Sequence, residues 1–325
     1  MATIKDVAMR SGFTVTTVSR MLNNRGYVSD AAKAKIQKAM RELNYQPNEI
    51  ARSLSSRTSR TIGLIVPSAS NPFFCMIIDY VERYASQHGY KLLLCNSNMQ
   101  IDKEIEYFGM LDANKVSGVI VASRTQGLDK SIQNESPIIS IDRVLSPKTP
   151  SICADNYQGG VLAAEHLIQK KCKMLAHISG STVLNMDGNK RFDGFKDICE
   201  ANGIPYVVLD ANEEQFLSMN YKEIIQFLLD TYPKVDGIFT SNDILAAQVL
   251  QICAARKISV PEQMKIVGYD DIELCKLCCP TITTIHQPID SICRYAVESI
   301  ISRAEGAPLP RSVVFDVSLV ERGTT

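Results

Sequence analysis

Past Thr61 the chain alternates between two hydrophobic periods. Short apolar runs read as buried strands: TIGLIVPS (61–68), KLLLCNS (91–97), GVIVAS (118–123) and PIISID (137–142). Between the first three lie longer stretches with helical spacing, FFCMIIDYVERYASQHG (73–89) and DKEIEYFGMLDANK (102–115). The cycle then repeats. YQGGVLAAEHLIQKK (157–171), RFDGFKDICEANG (191–203), YKEIIQFLLDTYP (221–233) and ILAAQVLQICAARK (244–257) read as helices, while MLAHISG (174–180), YVVLD (206–210), DGIFTSND (236–243) and KIVGYD (265–270) read as strands. Such alternation predicts an α/β body of two lobes with parallel sheets.

Before Thr61 the pattern is helical throughout. Thr3 and Asp6 form a capping-box pair, and Ile4, Val7 and Ala8 give an apolar face, so a first helix is expected to run to about Ser11 and end at Gly12. Thr14 caps a second helix to about Leu22 that turns Val18 and Leu22 inward and Val15, Thr16, Ser19 and Arg20 outward. Ser29 caps a third, Ala31 to Leu43, whose Ile36, Met40 and Leu43 close a small core. Two short helices joined through a glycine turn make a helix-turn-helix. Its second helix fits a major groove, where Arg20 reaches guanine edges and Thr16 or Val15 meets a thymine methyl. A three-helix protein-interaction domain has the same outline.

Charge favours DNA. Residues 1–60 hold 11 Lys/Arg and four Asp/Glu, a net +7, although the whole 325-residue chain is neutral, so the remainder carries −7. A basic head on an acidic body points to a polyanion that meets the head alone. No apolar run approaches the roughly 18 residues of a membrane span and Met1–Arg10 has no signal-peptide core, so a cytoplasmic location is expected. Ten cysteines without a secretory signal read as reduced thiols. LCKLCCP, with Cys275, Cys278 and Cys279, has the spacing of half a zinc site, but no second half follows, so neither metal nor cofactor is expected. An enzyme is not expected either. The chain shows no G-x-S-x-G elbow, P-loop or Rossmann fingerprint, and its four histidines form no ligand-spaced pair.

From Ala2 to Leu54, ATIKDVAMRSGFTVTTVSRMLNNRGYVSDAAKAKIQKAMRELNYQPNEIARSL resembles the head of the LacI/GalR family, with its TIKDVA, TTVSR and LNYQPNEIARSL segments. Met9, Ser11 and Phe13 depart from the usual pattern, and Phe13 lies near the turn. The expected DNA contacts are Thr3, Val15, Thr16, Thr17, Arg20, Asn23, Tyr45, Ala51 and Leu54. Asn48 can cap a short hinge helix to about Ser55, in which Ile50 and Leu54 share a face. Too short to be stable alone, it is expected to fold on DNA. The resemblance implies that Leu54 and its symmetry mate wedge into a central step of the minor groove; packing of Leu54 on the body is the alternative. One head reads few base pairs, so a homodimer on a pseudo-palindromic double-stranded operator is expected. The chain ends at LVERGTT, without the C-terminal heptad helix that makes some relatives tetrameric.

In parallel α/β sheets ligands bind beyond the strand ends. Asn71, Phe73, Phe74, Asp142, Arg143, Asn242, Asp270 and Gln287 sit there, with Arg191 on the loop after HISG. Carboxylates, amides, guanidinium forks and aromatic faces together suit a sugar. The body resembles periplasmic sugar-binding proteins, the ribose-binding ones most of all, through NPFF, IDR, RFDGF, SND, GYD and TIHQ in order. That resemblance adds Phe216, completes the effector set, and implies D-ribose as inducer. Hexoses, fructofuranosides, purines or a phosphocarrier protein as corepressor are the alternatives. The expected division is a helix-turn-helix domain 1–47, a hinge helix and linker 48–60, and an effector-binding and dimerisation domain 61–325. Within the last, the N-lobe is about 61–157 plus 288–316 and the C-lobe about 158–287 plus 317–325.

Overall fold

The computed structural model describes residues 2–22, 26–46, 59–128, 136–147, 149–180, 186–308 and 312–325. It separates into two compact units, Met1–Arg60 and Thr61–Thr325. The expected hinge helix, with Asn48, Ile50, Ala51 and Leu54, and also Asn23, lie outside the described residues.

In the first unit, helices α1 (Ile4–Ser11), α2 (Val15–Leu22) and α3 (Asp30–Glu42) follow the cap signals. The Asp6 amide bonds back to the Thr3 hydroxyl and the Asp6 carboxylate accepts from the Thr3 amide, 2.7 Å, a reciprocal box at the start of α1. Gly12 ends that helix at φ 76°, where a side chain would be strained. Val7, Val18 and Ile36 are fully buried between the three helices, with Leu22, Met40 and Leu43 packed on them. Helix α3 lies one residue earlier at both ends than Ala31–Leu43. Ser29 caps through the Ala32 amide, which brings acidic Asp30 into the first turn, where the helix dipole favours it.

The second unit is built on two six-stranded sheets. The first runs β11-β5-β4-β3-β1-β2, from β1 (Thr61–Val66), β2 (Lys91–Asn96), β3 (Gly118–Val121), β4 (Ile138–Ile141), β5 (Ser151–Ala154) and β11 (Val313–Phe315). The second runs β12-β10-β9-β8-β6-β7, from β6 (Leu175–Ser179), β7 (Tyr206–Asp210), β8 (Gly237–Thr240), β9 (Lys265–Asp270), β10 (Thr283–His286) and β12 (Ser318–Val320). Every pairing is parallel except β10 with β12. The chain therefore passes between the sheets three times, after β5, after β10 and between β11 and β12.

The helices follow the strands in the expected alternation: α4 (Pro72–Gln87), α5 (Ile101–Ala113), α6 (Asn156–Gln169), α7 (Lys190–Ala201), α8 (Glu213–Ser218), α9 (Lys222–Thr231), α10 (Asp243–Ala255), α11 (Leu274–Leu277) and α12 (Ile289–Ala304). Fully buried Ile62, Leu64, Ile120 and Ile139 of the first sheet pack with Ile77 and Val81 of α4 and Val297 and Ile300 of α12. Strands β5, β11 and β12 and helices α8 and α11 were not expected from the pattern. Each is short, and the two edge strands are only partly buried, so neither alternation nor length distinguishes them from loop.

Candidate functional site

Both sheets have the same strand order, and in each the direction of winding reverses beside its first strand. β1 lies between β2 and β3, and β6 between β7 and β8. A crevice opens at the carboxyl ends of strands at such a reversal. A cavity of about 650 Å³, counted to its open mouth, lies at those ends in both sheets.

Seven of the ten expected effector residues line it. Asn71, Phe73 and Phe74 come from the start of α4, beyond β1; Arg191, Phe216, Asn242 and Asp270 come from the second sheet's side. Asn71 and Asn242 line the cavity and also cap helices, the Oδ1 of each accepting from Phe73 at 3.0 Å and from Leu245 at 2.9 Å. Phe74 meets Phe73 edge-on at 5.2 Å and Phe216 at 6.3 Å, so aromatic faces from both lobes converge.

Arg191 is buried and held on three sides. Its Nε donates to Asn156 Oδ1 at 2.7 Å, its Nη1 donates to the Ser241 carbonyl at 2.6 Å, and its Cζ lies 3.5 Å from the Tyr269 ring centroid. Asp270 closes β9 at φ 113° and accepts from Gln287 Nε2 at 2.6 Å. Burial raises its carboxyl well above the usual range, against the pull of Arg191.

Asp142, Arg143 and Gln287 are buried but are not part of the lining. Both Asp142 carboxylate oxygens are buried without a hydrogen bond among the described residues, and burial raises that carboxyl while Arg191 and Arg124 oppose the shift. Arg143 Nη1 donates to the Thr125 carbonyl at 2.6 Å. Gln287 reaches the site through Asp270, and its Oε1 is buried without a partner among the described residues.

The lining also includes Arg124, Asn189 and Ser241, absent from the expected set. Arg124 lies just beyond β3, so the strand-end rule that singled out Asn71 and Asn242 points to it as well. Asn156 and Tyr269, which hold Arg191, carried no local signal. They are brought together by the packing of α6 on α7 and β9.

In the first unit Val15, Thr16 and Arg20 are exposed on α2, and Thr17 is half-buried with its hydroxyl 2.9 Å from that of Thr14. Thr3 is exposed and its hydroxyl donates to Asp6, whose carboxyl is held below its ordinary range chiefly by the Thr3 amide. Tyr45 is half-buried against the three-helix core. Ser19 is half-buried, not fully outward.

Cys275 is buried, Cys278 half-buried and Cys279 exposed. Among the described residues no group of three His, Cys, Asp or Glu is placed to hold a metal ion, and no helix is long and apolar enough to cross a membrane.

Residues 3–48 match the family model of bacterial regulatory proteins, lacI family, and residues 164–325 that of the periplasmic binding protein-like domain. The ribose operon repressor of Halalkalibacterium halodurans is 36% identical over 95% of this chain and 92% of its own. The sucrose operon repressor of Streptococcus mutans is 35% identical over 98% of each. Among solved structures, a periplasmic binding protein/LacI transcriptional regulator from Alkaliphilus metalliredigens complexed with D-xylulofuranose is 33% identical, with a TM-score of 0.72 over 82% of this chain and 99% of that one. The chain belongs to the LacI family of bacterial regulatory proteins and is a DNA-binding transcriptional repressor, not an enzyme.

Proposed function

We propose that a small sugar of the pentose class, with D-ribose the first candidate, occupies the cavity between the two sheets and releases the protein from its operator. The observation that carries this reading is the convergence of Asn71, Phe73, Phe74, Arg191, Phe216, Asn242 and Asp270 on one cavity from five separate places in the sequence. Amides, a guanidinium and a carboxylate offer directional bonds to hydroxyls, and Phe73, Phe74 and Phe216 offer faces to the C–H side of a ring. Asp142, Arg143 and Gln287 complete the effector set in this reading. The ribose operon repressor among its relatives and the D-xylulofuranose in a related structure support a five-carbon sugar.

The protein acts as a cytoplasmic homodimer on a pseudo-palindromic operator. Thr3, Val15, Thr16, Thr17, Arg20, Asn23 and Tyr45 contact DNA from each head, and Ala51 and Leu54 from each hinge. Sugar and operator are coupled only to the extent that sugar binds one arrangement of the dimer more tightly than the other. The domain limits are 1–47, 48–60 and 61–325, with the body's lobes exchanging chain near residues 157, 287 and 316.

A gel-shift titration of the protein on its operator with D-ribose tests this. Release of DNA is expected. Unchanged or tightened binding across the titration overturns ribose induction. The sucrose operon repressor among the relatives favours a second reading, a fructofuranoside effector in the same cavity, and D-fructose and sucrose are the control titrants.

A further inference from the structure

Charges around the cavity balance. Arg124, Arg191 and Asp270 line it, and the buried Asp142 carboxylate is attracted by both guanidiniums, so two cations face two anions. A neutral sugar suits such a site and leaves no surplus charge for Arg124 to meet. What Arg124 meets is an aromatic face. Its Cζ lies 4.8 Å from the ring centroid of Phe216, within cation–π range, and it makes no hydrogen bond among the described residues.

The two partners come from opposite lobes. Arg124 lies just beyond β3 of the first sheet, and Phe216 sits on α8, beyond β7 of the second. Phe74 of α4 meets the same ring edge-on at 6.3 Å, so Phe216 packs on the core of the lobe across the cavity. Strand β7 is the edge of its sheet away from β10 and β12, where the chain crosses between the lobes. A contact on that side lies farthest from the crossings, so it resists parting of the lobes with the longest lever.

Each partner is held in its own way. The backbone around Arg124 is fixed, because fully buried Glu104 of α5 accepts from Ser123 Oγ at 2.9 Å and from Thr125 Oγ1 at 2.6 Å, on either side of it. Helix α8 is a strap, and none of its six residues is buried. A reciprocal box between Asn212 and Gln215 starts it. Gln248 of α10 secures its far end, accepting from the Tyr221 amide at 2.8 Å and donating to the Met219 carbonyl at 2.6 Å. The strap is thus tied to its own lobe at its ends, while Phe216 in its middle is held from across the cavity. We propose that Arg124 is a positioning residue whose cation holds the Phe216 ring, and with it α8, over the effector, so that it sets how tightly the closed lobes retain sugar without bonding the sugar itself. This inference rests on the reading of the cavity as the effector site.

Calorimetry on the full-length protein with D-ribose, D-fructose and sucrose tests it through Arg124→Met, Phe216→Leu and the double variant. For the sugar that binds, Arg124→Met is expected to weaken affinity about tenfold, the scale of a partly desolvated cation–π contact. In the Phe216→Leu background the same change is expected to cost less than about twofold, because the ring through which Arg124 acts is gone. A bond from Arg124 to the sugar itself, or a general structural role, gives the full loss in both backgrounds. That result, or an Arg124→Met protein with wild-type affinity, overturns the inference and leaves the sugar cavity standing. If none of the three sugars binds the wild type, the effector reading fails, and melting curves without sugar decide whether Arg124 holds Phe216. Arg124→Met should then lower the melting temperature of the wild type and not that of Phe216→Leu, and equal shifts in the two overturn the inference as well.

Discussion

The guanidinium of Arg191 sits over the ring of Tyr269, its Cζ 3.5 Å from the centroid, while Nε and Nη1 donate to Asn156 and the Ser241 carbonyl. One side chain thereby joins α6, α7, β8 and β9 at the floor of the cavity. Its planar fork, not its charge alone, is what this arrangement uses.

Arg191→Lys keeps the charge and loses the fork. A charge-assisted hydrogen bond contributes about 2 kcal/mol and a desolvated cation–π contact a similar amount, so the body should melt several degrees lower. Effector affinity should fall at least about tenfold, since each factor of ten is only about 1.4 kcal/mol. Calorimetry and thermal melting measure the two effects separately, and an unchanged affinity would show that Arg191 supports the fold without touching ligand.

Gly160 allows α6 and α7 to approach closely, because a Cβ there would collide with the Arg191 carbonyl and the Phe195 amide. Gly160→Ala must push the helices apart, at a cost of about 1–3 kcal/mol for overpacking. Since α7 carries Arg191 in its first turn, effector affinity should drop along with stability. Circular dichroism melts check the first effect and calorimetry the second. A variant with wild-type melting would mean that the helices slide without strain.

Leu54→Ala should weaken operator binding at least about tenfold, the scale of a lost apolar wedge in an unstacked step, and leave effector binding unchanged. Gel shifts and calorimetry on the same preparation separate the two. Equal operator affinity would instead favour a leucine that packs on the body.

His177 is buried, stacked on Phe239 at 4.7 Å, with Nδ1–H donating to the Phe239 carbonyl at 3.1 Å. Burial lowers its pKa to about 3 from the ordinary 6.5. Between those values the unfolded chain holds a proton that the folded one refuses, so stability is full above about pH 6.5 and declines as pH falls toward 3. Buried Asp243, raised to about 7, titrates with the opposite sign. The test is therefore the difference between wild type and His177→Gln. Relative to the variant, wild type should lose about 1.4 kcal/mol for each pH unit below 6.5. Urea denaturation at pH 7.5 and 5.0 measures it, and parallel profiles would sink the prediction.

Local chemistry was legible in the sequence. The Thr3–Asp6 box, the Thr14 and Ser29 caps and the left-handed Gly12 depend on residues within four positions of one another, and the inward side chains of three short helices follow from a 3.6-residue period. The long helices and buried strands of the body were legible for the same reason. Strands β11 and β12 were not, because three half-exposed residues acquire strand geometry only from the partners β5 and β10 that pair with them.

The cavity divides in the same way. The rule that ligands gather beyond strand ends singled out Asn71, Asn242 and Asp270 from sequence, yet only the tertiary structure decided which neighbours face inward. It turned Arg124 into the cavity and set Asp142, Arg143 and Gln287 outside the lining. It also brought Asn156 and Tyr269 to Arg191 across 35 and 78 positions. Caps and periodicity are set by neighbours along the chain. The direction of a side chain at a strand end is set by what packs against it: the buried carboxylate of Glu104 accepts from Ser123 and Thr125 on either side of Arg124, the opposite lobe's Phe216 lies under its guanidinium, and glycine lets the helices beside Arg191 come close.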